Sequence, residues 1–284
     1  MEGLFLSSAV CSSTAQTMER MIATVELVRK KYQFMGYVHL KLLPGCDAAT
    51  VERAVQLADR VSINLEAPNP ERLQRLSADK DFYKGLLQPL RLARGYIDAG
   101  MGARAGLTTQ FVIGAAGESD EEILRTVAWL YDKTGLGRAY FSAFQPVPGT
   151  PLENRPATPL VREHRLYQSD FLLRQYGFSL ADLAFGLEGN LHTEIDPKMA
   201  WAQRHPERFP IEVNLASREE LLRIPGVGPG SATRIIQMRR QGSLRHLEEL
   251  SAAGAVAARA GPFVLLNGRR PPQQLALFEY PSWQ

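Results

Sequence analysis

Cysteine is nearly missing: the 284 residues hold only Cys11 and Cys46, too few and too far apart for a disulfide framework or a metal set of their own. Long apolar runs are missing too, since none reaches the roughly 18 residues that a membrane-spanning helix needs. The opening "LFLSSAVC" has Glu2 where a secretory leader carries basic residues, and its apolar stretch is too short. These absences predict a cytoplasmic protein with no membrane partner. Lysine vanishes from Trp201 onward, where eleven Arg stand against seven Glu and no Asp. The positive excess therefore lies in the last third of a chain whose formal net charge is only +3, a distribution that suits a polyanionic partner or a solvated basic surface.

With 45% apolar and 22% charged residues, the chain can bury one large core or a core plus a smaller domain. Strands are expected at Gly3 to Leu6, Gly36 to Leu42, Arg60 to Leu65, Thr108 to Ile113 and Arg138 to Phe144. Helical spacing of apolar residues marks Thr14 to Tyr32, Ala48 to Ala58, Pro70 to Ala99 and Asp120 to Lys133. This alternation calls for parallel strands covered by helices, as an open doubly wound sheet or as a barrel. In either case the ligand site is expected at the carboxyl ends of the strands. Then come the connector "PVPGTPLENRPATP", a helix from about Leu160 to Tyr176 and an irregular polar stretch to Phe209, with no internal repeat in view.

The densest motif is "VNLASREELLRIPGVGPGSATRIIQMRRQG". Ser217 and Glu220 form a capping box, Pro225 to Gly228 reverses the chain, and a second helix runs from about Pro229 to Gln241 with Gly242 as its stop. Gly226 and Gly228 are expected to allow positive φ and a close approach of backbone N–H groups to a phosphate at the positive end of the second helix. Val227 and Ile224 would anchor the turn. The segment resembles the helix-hairpin-helix DNA-binding modules, which implies sequence-independent gripping of the DNA backbone by Gly226, Val227, Gly228, Arg234, Arg239 and Arg240. Arg245 is a further basic residue, while Gly230 and Ser231 stand where many members are basic. Protein packing is the other use of such a hairpin. Beyond it, the tail "NGRRPPQQLALFEYPSWQ" is expected to be disordered. Within that tail Gln274, Leu275, Leu277 and Phe278 resemble the pentapeptide that docks on the bacterial sliding clamp, unless the tail folds back on the body.

Three of the strand-end loops resemble the radical S-adenosylmethionine superfamily. They are "FVIGAAGESDEEI", "INLEAPNPERLQRL" and "FQPVPGTPL". The resemblance implies an incomplete parallel (β/α) barrel with an all-α helix-hairpin-helix domain after it. It also implies S-adenosylmethionine held by Ser7, Ser8, Asn64, Glu66, Val112, Gly114, Gly117 and Glu118. Arg162, His164 and Arg165 would hold a substrate phosphate or carboxylate at the mouth, or form a solvated basic helix face; Tyr140 and Ser142 would line the interior. More narrowly, "EGLFLSSAV", "GYVHLKLLPG", "REHRLYQSDFLLRQYGF" and "DPKMAWAQRHPERFP" resemble the DNA modification or repair radical S-adenosylmethionine proteins. In that superfamily a first strand bears three cysteines for a 4Fe-4S cluster. This chain begins at what would be the second strand, so an upstream start or a trimmed chain is expected, and the residues as they stand are expected to bind no cluster.

The expected domains are 1–158 partial barrel, 159–210 helical connector, 211–268 helix-hairpin-helix and 269–284 flexible tail. The activity implied is radical chemistry in DNA modification or repair. A different class is a non-catalytic adaptor whose degenerate barrel supports DNA and clamp binding. A metal-dependent barrel hydrolase would need clustered ligands at strand ends. Only His39 sits in a strand, with His164, His192, His205 and His246 elsewhere, so no metal residue is expected.

Overall fold

The computed structural model describes residues 2–272. Two compact units emerge: the chain up to Asp170 together with Phe185–Leu191, and Phe171–Ala184 with the chain from His192 onward. The 159–210 segment is thus shared between them, because the chain passes from one unit to the other within a helix and then returns once.

In the first unit the order is β1 (Gly3–Leu6), α1 (Thr14–Lys30), β2 (Tyr37–Lys41), α2 (Ala48–Leu57), β3 (Arg60–Ser62) and α3 (Pro70–Leu76). There follow a π-helical turn (Phe82–Leu87), α4 (Gln88–Asp98), β4 (Leu107–Ile113), α5 (Asp120–Thr134), β5 (Arg138–Ala143) and the start of α6 (Leu160–Gln175). Helices begin where a short polar side chain can take up an orphan N–H: Ser13, Asp47, Asn69 and Ser119 each accept one from the first turn that follows. The expected helix Pro70 to Ala99 is instead three pieces. Asp81 accepts the Tyr83 and Lys84 N–H groups at 2.9 and 2.8 Å, restarting the chain after Ser77, and local side-chain capping outcompetes the long apolar periodicity. The third strand is also shorter than expected, although an isolated bridge carries the pairing on from Glu66 to Phe111.

All five strands are parallel and lie in the order β1-β2-β3-β4-β5, a curled half-barrel. A doubly wound sheet reverses its strand order at a switch point; this one does not. Crossovers of one hand then put the helices on one face, and α1, α2, α4 and α5 indeed pack side by side in that sequence. Val38, Leu40, Val61, Ile63, Leu107, Phe111 and Ile113 are fully buried beneath them. The alternate positions form the other face and are largely polar: His39 and Lys41, Ser62 and Asn64, Thr108 and Gln110, Tyr140 and Ser142.

The edge at β5 is closed by side chains. The N–H groups of Ala139, Phe141 and Ala143 donate to Tyr131 Oη (3.0 Å), Tyr167 Oη (3.0 Å) and Glu163 Oε2 (2.6 Å). Tyr167 also donates back to the Phe141 carbonyl at 2.9 Å. A strand whose outward groups are spent in this way offers no template for a further strand.

In the second unit, α7 (Pro197–Arg204) is followed by β6 (Ile211–Glu212), α8 (Arg218–Arg223), α9 (Pro229–Met238), α10 (Leu247–Ala252), α11 (Ala257–Ala260) and β7 (Val264–Leu265), which pairs in parallel with β6. Helix α7 lies inside the stretch expected to be irregular. Its signal is Asp196 followed by Pro197, a cap and a first-turn proline. Val213, Leu221, Ile224, Ile235, Leu250, Ala253, Ala260 and Val264 make the fully buried core of this unit. No helix among the described residues is long and apolar enough to cross a membrane.

Where β3 pairs with β4 for only two residues, Thr109 supplies the link that the ladder lacks. Its hydroxyl donates to the Ile63 carbonyl at 2.7 Å and accepts the Leu65 N–H at 3.1 Å, in a buried setting. Thr109→Val keeps the shape and strands both backbone groups, so it is expected to cost about 2 kcal/mol, read as a lower urea midpoint with an unchanged slope.

Candidate functional site

The C-terminal ends of β1, β2 and β3 surround a cavity of about 260 Å³ whose lining includes Ser8, Lys41, Asn64, Glu66 and Lys80. Three of the expected cofactor residues, Ser8, Asn64 and Glu66, therefore meet. Glu66 holds φ at +63°, a conformation that costs of order 1–3 kcal/mol for such a residue. It is kept there because its N–H donates to Gln110 and its carbonyl accepts from Val112, both at 2.9 Å. Its carboxylate pairs with Lys80. A smaller cavity of about 150 Å³ opens on the polar sheet face, lined in part by Ser7, His39, Lys41, Asn64, Thr108 and Tyr140. Lys41 and Asn64 border both. His39 Nε2 and Ser62 Oγ lie 2.8 Å apart, and burial, with help from Arg60, pushes the imidazole down to about 4, so it is neutral at physiological pH. The Thr108 hydroxyl is buried without a hydrogen-bond partner. Lys41 and Thr108 are not apparent from the sequence because only the pairing register places them beside Asn64, and Lys80 because it comes from the loop after α3 and reaches the cavity through its pair with Glu66.

The loop after β4 does not join them. Glu118 is 4% exposed and turns into its own loop, where its carboxylate accepts the N–H groups of Gly114 and Ala116. Gly114 is glycine because a Cβ there would lie 2.0 Å from Thr158 Oγ1, and that hydroxyl donates to the Ile113 carbonyl at 2.8 Å. The start of α5 is likewise occupied: Ser119 and Glu122 form a capping box, the Glu121 N–H donates to Gly189 at 2.9 Å, and Asp120 Oδ2 accepts the Leu191 N–H at 2.9 Å. Gly117 is exposed and Val112 half-buried. Arg162 is also turned inward, with Nε 2.7 Å from Asp120 Oδ1 and an amino group 2.7 Å from the Glu118 carbonyl. Arg165 bonds Gln168 at 2.9 Å, while His164 is exposed. Of the three residues expected at the mouth, Arg162 is thus engaged with the turn that opens α5, Arg165 with its own helix, and His164 is exposed.

In the second unit the hairpin Pro225 to Gly228 joins α8 to α9. Ser217 and Glu220 form the expected capping box, and Ile224 and Val227, 0% and 2% exposed, anchor the turn. Gly226 holds φ at +84°, and a Cβ there would lie 2.6 Å from the Val256 carbonyl. Gly228 departs from expectation: its φ is −99°, the extended conformation of an N-cap, so its bareness is not required by a positive φ. It caps α9 with no side-chain hydrogen bond, which leaves the first turn open. Helix α9 ends at Met238, before the expected stop at Gly242.

The arginines scatter. Arg234 Nε donates to the Ala253 carbonyl at 2.7 Å. Arg239 donates to the carbonyls of Val213 and Ala216 at 3.0 and 2.6 Å. Arg239 and Arg240 follow the last residue of α9, roughly 15 Å of helix from the hairpin. Arg240 and Arg245 are exposed. Gln274, Leu275, Leu277 and Phe278, expected from the tail motif to dock on a clamp, lie outside the described residues.

A repeat that the sequence hid is also present. Helix α10, Ala253 to Val256 and α11 repeat the pattern of helix, turn and helix. Glu249 accepts the His246 N–H at 2.8 Å as Glu220 accepts that of Ser217 at 2.7 Å, and Gly254 has φ +77°. The two turns clasp reciprocally, Val256 N–H to Gly226 carbonyl at 2.9 Å and Ser231 Oγ to Gly254 carbonyl at 2.7 Å. The expectation of no internal repeat is corrected: the two turns share only a positive-φ glycine and buried Leu and Ala spacings, too little for sequence self-similarity to register.

Residues 208–257 match a family model described as the helix-hairpin-helix motif. No curated protein matches the chain.

Gly226→Ala is expected to destabilise the second unit by about 3 kcal/mol, from a left-handed backbone plus a backbone clash. Gly228→Ala, whose Cβ would meet only the Tyr176 hydroxyl at 3.4 Å, is expected to cost less, about 1 kcal/mol, the amount by which alanine is the poorer N-cap. Melting curves of the two variants test the asymmetry.

Proposed function

We propose that the protein binds the sugar-phosphate backbone of DNA, without reading sequence, at the hairpin Pro225 to Gly228 and the open start of α9. The observation that carries this reading is the uncapped first turn of α9 within a segment matching the helix-hairpin-helix motif. The open N-terminus of a ten-residue helix concentrates partial positive charge and free donors where an anion can approach. Binding of this kind is driven by counterion release, so affinity falls steeply with salt. Gly230→Glu is the informative variant. Gly230 is exposed, and a Cβ there would meet only the Arg234 guanidinium, at 3.8 Å or more. An acidic residue in a first helical turn favours folding while repelling phosphate. Fluorescence anisotropy with a short duplex should show roughly tenfold weaker binding for the variant at low salt, with an equal or higher melting temperature. Wild-type binding that ignores salt would sink the reading.

A second reading concerns the half-barrel, and the convergence of Ser8, Asn64 and Glu66 on one cavity favours it. We propose that this cavity takes the polar end of S-adenosylmethionine, with Asn64 and Glu66 toward the ribose or amino-acid groups, Ser8 supplying a hydroxyl there and Ser7 one from the adjoining smaller cavity. The bound cofactor would bring a sulfonium centre open to reductive cleavage or group transfer. The chain's own residues would orient and enclose it. The described residues do not fit an iron-sulfur cluster: no three ligating side chains lie together among them, Cys11 is exposed and Cys46 is buried, its thiol pushed up to about 12 by burial. Participation in DNA modification or repair, and docking on a sliding clamp, are proposals that rest on the family resemblance and on the tail motif. Calorimetric titration with S-adenosylmethionine should show saturable binding, weakened about tenfold by Asn64→Ala through loss of a hydrogen-bonding side chain. An absence of heat for the wild type would dismiss the cavity as a cofactor site.

A further inference from the structure

Lys198 belongs to neither reading so far, yet it is 7% exposed and lies directly behind the hairpin. Its Nζ donates to the Val227 carbonyl at 2.5 Å and sits 4.8 Å from the centre of the Tyr176 ring. The groups facing it are Asp196 at the start of α7, Tyr176 after α6, Arg223 on α8 and Arg259 on α11. Asp196 is shared with Arg259 in an ion pair, and Arg223 is held by Asp182 at 3.2 Å. Burying an ammonium against one carbonyl, one ring and a shared carboxylate is costly. A neutral amide could donate the same hydrogen bond without that cost.

The geometry of the turn gives the charge a use. In a planar trans peptide the C=O and N–H point in opposite directions. With the Val227 carbonyl drawn to Lys198, the Gly228 N–H is sent to the other side, and it has no acceptor among the described residues. We propose that Lys198 is a positioning residue for DNA phosphate: it fixes the Val227–Gly228 peptide with its N–H outward and places a buried positive charge beneath the bound anion. The proposal rests on the reading of this hairpin as the backbone-binding element and adds an internal cation to it.

Burial, opposed by Asp196 and reinforced by Arg259 and Arg223, pushes Lys198 down to about 7. Below that pH the folded chain carries the ammonium; above it the amine still donates to Val227 but brings no charge, so phosphate affinity falls as pH rises through neutrality. Stability moves the other way. An unfolded lysine keeps its proton to about 10.4, so between about 7 and that value the unfolded state binds more protons, and this group's contribution to stability rises with pH.

The test is anisotropy with a labelled duplex at constant ionic strength from about pH 6 to about pH 8.5, where the wild type should lose roughly fivefold in affinity. Lys198→Gln, which retains an amide donor, and Lys198→Met should each bind more weakly than the wild type at the acid end. Both should show a flatter profile than the wild type. A wild-type profile no steeper than that of Lys198→Gln overturns the proposal, and so does full affinity of either variant at low pH. If the wild type binds no DNA under any condition, the hairpin reading fails and takes this proposal with it, an outcome distinct from binding that ignores Lys198.

Discussion

Parallel strands laid down in sequential order impose the constraint from which the first unit follows. Each crossover must return on the same side, so one sheet face is sealed by helices and the other is left without them. The sealed face is the apolar core of Val38, Leu40, Val61, Ile63 and Phe111. The open face has to meet water or a ligand, which is why His39, Ser62, Asn64, Gln110 and Tyr140 alternate with that core along the same strands. The curl of the sheet brings those polar positions toward one another at its carboxyl end. A cavity lined by Lys41, Asn64, Glu66 and Lys80 is the product of topology before it is a product of any chemistry.

The same constraint explains what sequence reading reaches. Strands and their alternation were legible because period-two patterning and β-branched content report a half-buried sheet directly. The choice between an open sheet and a barrel was not, because strand order depends on pairings between residues far apart in the chain. Helix breaks at Ser77 to Asp81 were hidden for the opposite reason: the apolar pattern runs through them, and a single carboxylate, Asp81, decides the matter locally. Motif reading placed Gly114 and Glu118 in a cofactor loop from a resemblance. In the fold the same residues are accounted for by an internal carboxylate turn and by the Thr158 hydroxyl. A motif of glycine and glutamate before a helix is satisfied equally well by either use.

For the tail domain, the turn was legible because its chemistry is local: a capping box, a glycine at positive φ and two apolar anchors are all contained within a dozen residues. The second turn carries the same backbone logic with little of the same sequence. Gly254 and the reciprocal bonds to Gly226 and Ser231 appear only once the helices pack. Lys198 escaped for a related reason, since twenty-nine residues separate it from the carbonyl it holds.

Charge counting needs the same correction. The arginine excess of the last third predicts a polyanion-binding surface, but much of it is turned to internal use. Arg239 closes the carbonyls of Val213 and Ala216, Arg234 that of Ala253, and Arg223 lies 3.9 Å from the Phe178 ring centre while pairing with Asp182. An arginine that satisfies backbone carbonyls still contributes to the field but cannot follow a phosphate without giving up those bonds. Recognition would then lean on fixed donors of the turn more than on long flexible cations. That favours shape and backbone spacing over sequence, because N–H groups held by a rigid hairpin read the position of a phosphate and nothing of the base attached to it.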